Sequence, residues 1–161
     1  MGEIYMTIGD VAAISAVFVT LFAVIWQTIS ARKLMARQLF LQLYAQYESE
    51  VMQRKRAAFA RRLIDDVTGT TDIDDTVLVF LETLASMLHE KLIDRELIWT
   101  TFSIDICTYW SKSEKYIKRV RQKTNDSSLF DELERAYNEL RPKTNDEVIE
   151  YYIYMETLRS D

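Results

Sequence analysis

Two clusters of cations with tyrosines among them are the residues in this chain whose types and spacing suit chemistry. Arg54, Lys55, Arg56, Arg61 and Arg62 share one short helical pattern, and Lys112, Lys115, Lys118, Arg119, Arg121 and Lys123 share another. Guanidinium forks grip phosphate oxygens, and a tyrosine ring beside them stacks on a base. On that reading Arg54, Arg61, Arg62, Tyr109, Lys112, Lys115, Tyr116 and Arg119 bind a nucleotide or a short single-stranded DNA oligomer. The alternative is a solvated surface, or ion pairs between subunits, in a chain whose net charge is −5.

No catalytic constellation accompanies these clusters. His89 is the single histidine and is expected on a helix surface or satisfied in the core, so a pair of metal-binding histidines is excluded. Cys107 is the single cysteine, which excludes an intramolecular disulfide and fits a reducing cytosol. The Asp-rich loop Asp65–Asp75 lacks the alternating ligands and closing Glu of an EF-hand, and Asp72 or Asp74 is better read as a helix cap. There is no P-loop, no Gly-rich dinucleotide turn and no nucleophile elbow. The chain is read as a non-enzyme with no metal and no cofactor.

The elements that must position the cations are helical. The 161 residues include only three Gly and one Pro, Pro142. The longest pattern starts with Val11–Ala31, an uncharged stretch followed by Arg32, Lys33 and Arg37. Its length matches the roughly 20 residues that cross a bilayer core. The preceding segment carries Glu3 and Asp10 and no Lys or Arg, unlike a signal peptide. The basic flank stays on the cytoplasmic side, where Arg32, Lys33 and Arg37 also meet anionic lipid headgroups. The expected layout is therefore a short extracytoplasmic N-terminus at 1–10, a transmembrane helix at 11–31 and a cytoplasmic helical domain at 32–161.

The span sorts its residues. At 100° per residue, Gly9, Ala13, Ala16, Thr20, Ala23, Gln27 and Ser30 fall on one stripe, and Val11, Ile14, Phe18, Leu21, Phe22, Ile25 and Ile29 on the opposite face. A lone anchor in lipid has no reason to sort in this way. Small residues let helix backbones approach, and polar ones find partners across the contact. Ala13, Ala16, Thr20, Ala23 and Gln27 thus form either a packing seam or the lining of a narrow pore. A pore with one span per chain requires several copies.

Beyond the membrane the span continues through Phe40, Leu43, Tyr44, Tyr47 and Val51 in a 3-4 pattern. A second helix over Glu50–Asp65 buries Met52, Phe59, Leu63 and Ile64 and turns Arg54, Lys55, Arg56, Arg61 and Arg62 outward. The helix over Val77–Glu90 is the most apolar and should centre the core. A short helix capped by Asp94 precedes a separate one over Ile104–Arg121, which turns Ile106, Trp110, Ile117 and Val120 inward. A helix ending at Pro142 carries Leu129, Leu133, Tyr137 and Leu140. A last segment, Asp146–Ser160, carries Val148, Tyr151, Tyr152, Met155 and Leu158 and closes the core or packs on a neighbouring subunit. KTND occurs at Lys123 and Lys143 and reads as loop and cap. The fold class expected is all-α, a transmembrane helix leading into a helical bundle.

Four further patterns carry a resemblance: LxLYxxYxSE at Leu41–Glu50, RRLIDD at Arg61–Asp66, HEKLID at His89–Asp94, and YW-x(5)-Y-I at Tyr109–Ile117. With the N-terminal span, they resemble bacterial single-span membrane proteins with a helical cytoplasmic domain of unknown function, including the HalA membrane effector of Hailong-type anti-phage systems. The resemblance implies a homotetrameric ion channel of the inner membrane, paired with a nucleotidyltransferase encoded nearby. That enzyme's short DNA product would bind the cytoplasmic domain and hold the channel closed, and its loss during infection would open it. The reading from residues alone leaves open a membrane-anchored scaffold or signalling adaptor without channel activity.

Overall fold

A computed structural model of the chain describes the backbone of residues 8–65, 74–140 and 146–158. All regular structure among them is helical: α1 (Ile8–Tyr47), α2 (Glu50–Asp65), α3 (Thr76–His89), α4 (Arg95–Thr124), α5 (Asp131–Leu140) and α6 (Asp146–Leu158). The chain divides into two compact units, Met1–Leu39 and Phe40–Asp161. Asp72, Pro142 and Lys143 lie outside the described residues.

The first unit holds most of α1, an unbroken helix of 40 residues. From Ala16 onward it is long and apolar enough to cross a membrane, and none of its most apolar stretch is covered by the chain. Thr20 and Thr28 return their hydroxyls to the carbonyls of Ala16 and Val24, each at 2.8 Å. Back-bonding of this kind satisfies a hydroxyl without water, as a helix able to cross a membrane requires.

The second unit is a bundle centred on α3. Val77, Leu78, Phe80, Leu81, Leu84, Ala85 and Leu88 are all buried, as their spacing requires. This helix packs on α2, α4 and α5, while α6 packs on α2 and α4. Asp74 accepts the Thr76 amide at 3.0 Å just ahead of α3. Lys55 of α2 reaches the same place, 3.2 Å from the Asp74 carboxylate. Asp94 caps α4 through the Glu96 amide at 2.8 Å. Replacing it with Ala should cost about 1 kcal/mol, read as a lower urea midpoint with an unchanged slope; no change in midpoint would show that the cap carries no stability.

Three expectations need correction. The short helix after Asp94 and the helix at Ile104–Arg121 are one helix, α4, of 30 residues. No Gly or Pro interrupts them, and the Thr100 hydroxyl bonds back to the Glu96 carbonyl at 2.9 Å rather than breaking the turn. Phe102 and Ile106 then bury the same face across the expected gap. On α2, Met52 and Phe59 are buried, but Leu63 is only half-buried and Ile64 is exposed. On α6 the core face is Ile149, Ile153 and Glu156, while Val148, Tyr151, Met155 and Leu158 are exposed. Smaller departures occur where helices end or turn outward: Leu97 is exposed and Val120 and Leu129 are half-buried. α4 ends at Asn125, whose φ of 54° is the left-handed conformation that asparagine tolerates at a helix end.

Candidate functional site

The feature of the second unit that most needs explaining is a fully buried arginine. On α2 the buried positions Met52, Arg56, Phe59 and Ala60 share one helical face, so Arg56 is carried into the core with its apolar neighbours. The outward placement expected for Arg56 is thereby overturned: none of its side chain is exposed. The 52-56-59 spacing carries this signal, and the cationic type of residue 56 within a run of cations masks it.

Three other helices supply its surroundings. Tyr47 of α1 offers its ring face, with the Arg56 guanidinium carbon 3.8 Å from the centroid. Glu48, just past α1, stands 3.5 Å from one guanidinium nitrogen, and Glu156 of α6 stands 3.6 Å from another. These are ion-pair distances beyond ordinary hydrogen-bond length, and none of the three guanidinium nitrogens has a hydrogen-bond partner. Asp105 of α4 accepts from the Tyr47 hydroxyl and, at 2.6 Å, from that of Tyr152 of α6. The Tyr109 hydroxyl of α4 faces Glu156 at 3.5 Å. Phe102 packs edge-on against Tyr47 and closes the apolar side. Outward, the cluster borders a cleft of about 510 Å³ lined by Phe40, Tyr44, Glu48 and Thr100 among others.

The electrostatics follow from burial. Asp105 is pushed up to about 6 by loss of water, and its hydrogen bonds from Tyr152 and Tyr47 and the charge of Arg56 only partly offset this. Burial and the Asp105 charge raise Tyr152, and burial with the Glu156 charge raises Tyr109. Burial opposes the Arg56 charge, but Tyr47, Glu156 and Asp105 outweigh it, so Arg56 remains a cation. One fixed positive charge thus ties α1, α2, α4 and α6 together.

The expected ligand-binding residues divide into three sets. Arg61, Tyr109 and Lys112 meet α6: Arg61 donates to the Thr157 carbonyl at 3.2 Å, Lys112 pairs with Glu150, and Tyr109 faces Glu156. Tyr109 is buried against Phe59, so in this arrangement its ring is not open to stack on a base. Arg54, Arg62 and Lys115 are exposed, with Arg54 3.5 Å from Glu50. Tyr116 is buried, not surface-lying as expected, with the Arg119 guanidinium carbon 5.4 Å from its ring centroid. The sequence showed these cations, but not that a glutamate-bearing helix lies against some of them.

The remaining candidates resolve simply. His89 is mostly buried between Glu132, bonded to its Nδ1, and Glu139, 3.5 Å from Nε2. Cys107 is buried. Among the described residues no group of His, Cys, Asp and Glu is disposed to hold a metal ion. On the span, Ala16, Thr20, Ala23 and Gln27 are exposed, as are Phe18, Leu21, Phe22, Ile25 and Ile29 opposite. The side chain of Ala13 lies outside the described residues.

Residues 10–140 match the family model described as Domain of unknown function (DUF4760). The chain belongs to this family. The matched region runs from within α1 to the end of α5 and leaves α6 outside it. No curated protein and no solved structure matches the chain.

Proposed function

We propose that this DUF4760 protein is a membrane effector that self-associates through its span to form an ion channel. Its helical domain binds the ligand, a nucleotide or short DNA oligomer, that controls the channel. The observation supporting this reading is the sorted span. Among its described residues the small and polar Ala16, Thr20, Ala23 and Gln27 and the bulky Phe18, Leu21, Phe22, Ile25 and Ile29 are all uncovered in the single chain, and small residues on one face let another helix approach closely. Several copies packed on that stripe would place Thr20 and Gln27 along the axis. α1 is unbroken from there to Tyr47, and on this reading it carries the response of the helical domain to the span. A ligand that binds two arrangements of the cluster unequally would shift the channel equilibrium.

The resemblance described above supports the finer reading: a homotetramer in the bacterial inner membrane, N-terminus outside, whose opening depolarises an infected cell and aborts phage propagation. On it the partners are further copies of the chain, the bilayer, the oligomer and a nucleotidyltransferase encoded nearby.

The test is a planar-bilayer recording on the purified full chain, with and without a short single-stranded DNA oligomer. Conductance that responds to the oligomer, and that is lost on Ala23→Phe, is the expected result. Absence of conductance in both conditions would overturn the channel and leave a membrane-anchored scaffold or adaptor.

A further inference from the structure

α6 lies against both basic helices and meets their groups with acceptors. Glu150 pairs with Lys112 of α4, and the Thr157 carbonyl accepts from Arg61 of α2. Glu156 stands 3.6 Å from Arg56 of α2 and 3.5 Å from the Tyr109 hydroxyl of α4. Three cations from two helices therefore face two carboxylates and a helix C-terminal carbonyl, which carries partial negative charge. The apolar hold is small: Ile149 and Ile153 are the buried apolar side chains of α6, whereas Tyr151, Tyr154, Met155 and Leu158 are exposed. For a short helix held mainly by polar pairs and little buried apolar surface, the cost of opening is largely electrostatic and can be offset by a ligand that supplies equivalent anions. α6 also lies outside the family-matched residues, so the groove it fills belongs to the matched region and the filler does not.

We infer that α6 is an internal stand-in for a phosphate-bearing ligand, and that such a ligand binds the α2–α4 groove by displacing it. This rests on the reading of the domain as a ligand sensor and names where the ligand sits. The groove's donors are Arg56, Arg61, Lys112 and the Tyr109 hydroxyl. Glu48 and Asp105 remain beside Arg56 when α6 leaves and offset part of its charge, whereas Lys112 and Arg61 lose the acceptors α6 gives them, which an anionic ligand replaces. Glu150 and Glu156 are six residues apart on the helix, or roughly 9 Å along its axis. A ligand with phosphates at comparable spacing, a polyphosphate or a short oligonucleotide, replaces both carboxylates. One observation left unexplained by a static bundle then acquires a reason. The guanidinium nitrogens of Arg56 lack hydrogen bonds because Glu156 is a distant substitute for a closer acceptor.

The experiment is amide hydrogen exchange on the full chain in detergent, alone and with sodium tripolyphosphate or a mixed-sequence single-stranded DNA hexamer. Exchange at 147–158 should rise at least tenfold with the probe, while exchange in α3 stays unchanged. Glu150→Gln should tighten probe binding several-fold by loosening α6. Lys112→Glu should weaken it at least tenfold, and Arg61→Gln, at an exposed position, gives the same direction with no risk to the core. Displacement by both probes identifies phosphate alone as the trigger; displacement by the hexamer only identifies a nucleic acid. Absence of binding by either probe, or binding with unchanged or slower exchange in α6, overturns the inference. Neither result depends on conductance, so a failed bilayer recording and a failed displacement are separate outcomes.

Discussion

Replacing Arg56 with Met should lower stability by about 3–5 kcal/mol, the cost of removing one partner from a buried ion pair. The loss comes from what remains. Glu156, 2 % exposed, loses the buried guanidinium 3.6 Å from its carboxylate, and the Tyr47 ring loses the same group 3.8 Å from its centroid. Glu48 is a third exposed and can hydrate in place, so it adds little to the penalty. The double variant Arg56→Met with Glu156→Leu should regain most of the loss, because an apolar pair of similar volume in a dry site is often as stable as the ion pair it replaces. Urea midpoints of the three proteins in detergent, followed by near-ultraviolet circular dichroism, make the comparison. A loss below about 1 kcal/mol in the single variant, or no recovery in the double, would remove Arg56 from the centre of the cluster.

The Arg56 cluster also marks where sequence reading stopped. Patterns confined to one helix were legible: the bounds of α2, the buried set of α3, the Asp94 cap and the burial of Cys107 all follow from local spacing and composition. Arg56 was misplaced because a cation in a run of cations is ordinarily solvated, and only partners far along the chain make its burial tolerable. Glu156 lies a hundred residues away from it. α6 was misread for a related reason. Its sequence, DEVIEYYIYMETL, has apolar side chains around most of its circumference. Two registers therefore offer similar hydrophobic burial. The one adopted also brings Tyr152 to Asp105 and Glu156 to Arg56, contacts that no property of the segment itself reveals. Tyr109 and Tyr116 were expected beside surface cations, yet both lie inward; around Tyr116 the exposed Lys115 and Lys118, one and two positions away, stand on other faces of the helix.

Stability should fall as pH rises from about 4 to about 6, and Asp105 should be the main cause. Its carboxyl is pushed up to about 6 in the folded protein by burial, against about 3.9 in an unfolded chain. Across that window the folded state holds a proton that the unfolded state has released. The contribution is therefore fully present below pH 4 and lost once the pH passes the folded value. Two units of difference correspond to about 3 kcal/mol. Burial raises Glu82 in the same sense, whereas the exposed Asp74 and Asp126, lowered by hydrogen bonds from Thr76 and Ser128, act in the opposite one. These groups are shared by wild type and Asp105→Asn, so the difference between the two pH profiles isolates Asp105. The Asn side-chain oxygen can still accept from the hydroxyls of Tyr47 and Tyr152, which keeps the packing of α1 and α6 on α4. The variant's urea midpoint should be nearly flat over pH 4–6, while the wild type declines; parallel profiles would show that Asp105 does not titrate in that window. Because Asp105 joins Tyr47 of α1 to Tyr152 of α6, the same ionisation that costs stability also sets how firmly those two helices are held together. Protection of the α6 amides, corrected for the intrinsic pH dependence of exchange, should accordingly rise on acidification in the wild type and stay constant in Asp105→Asn.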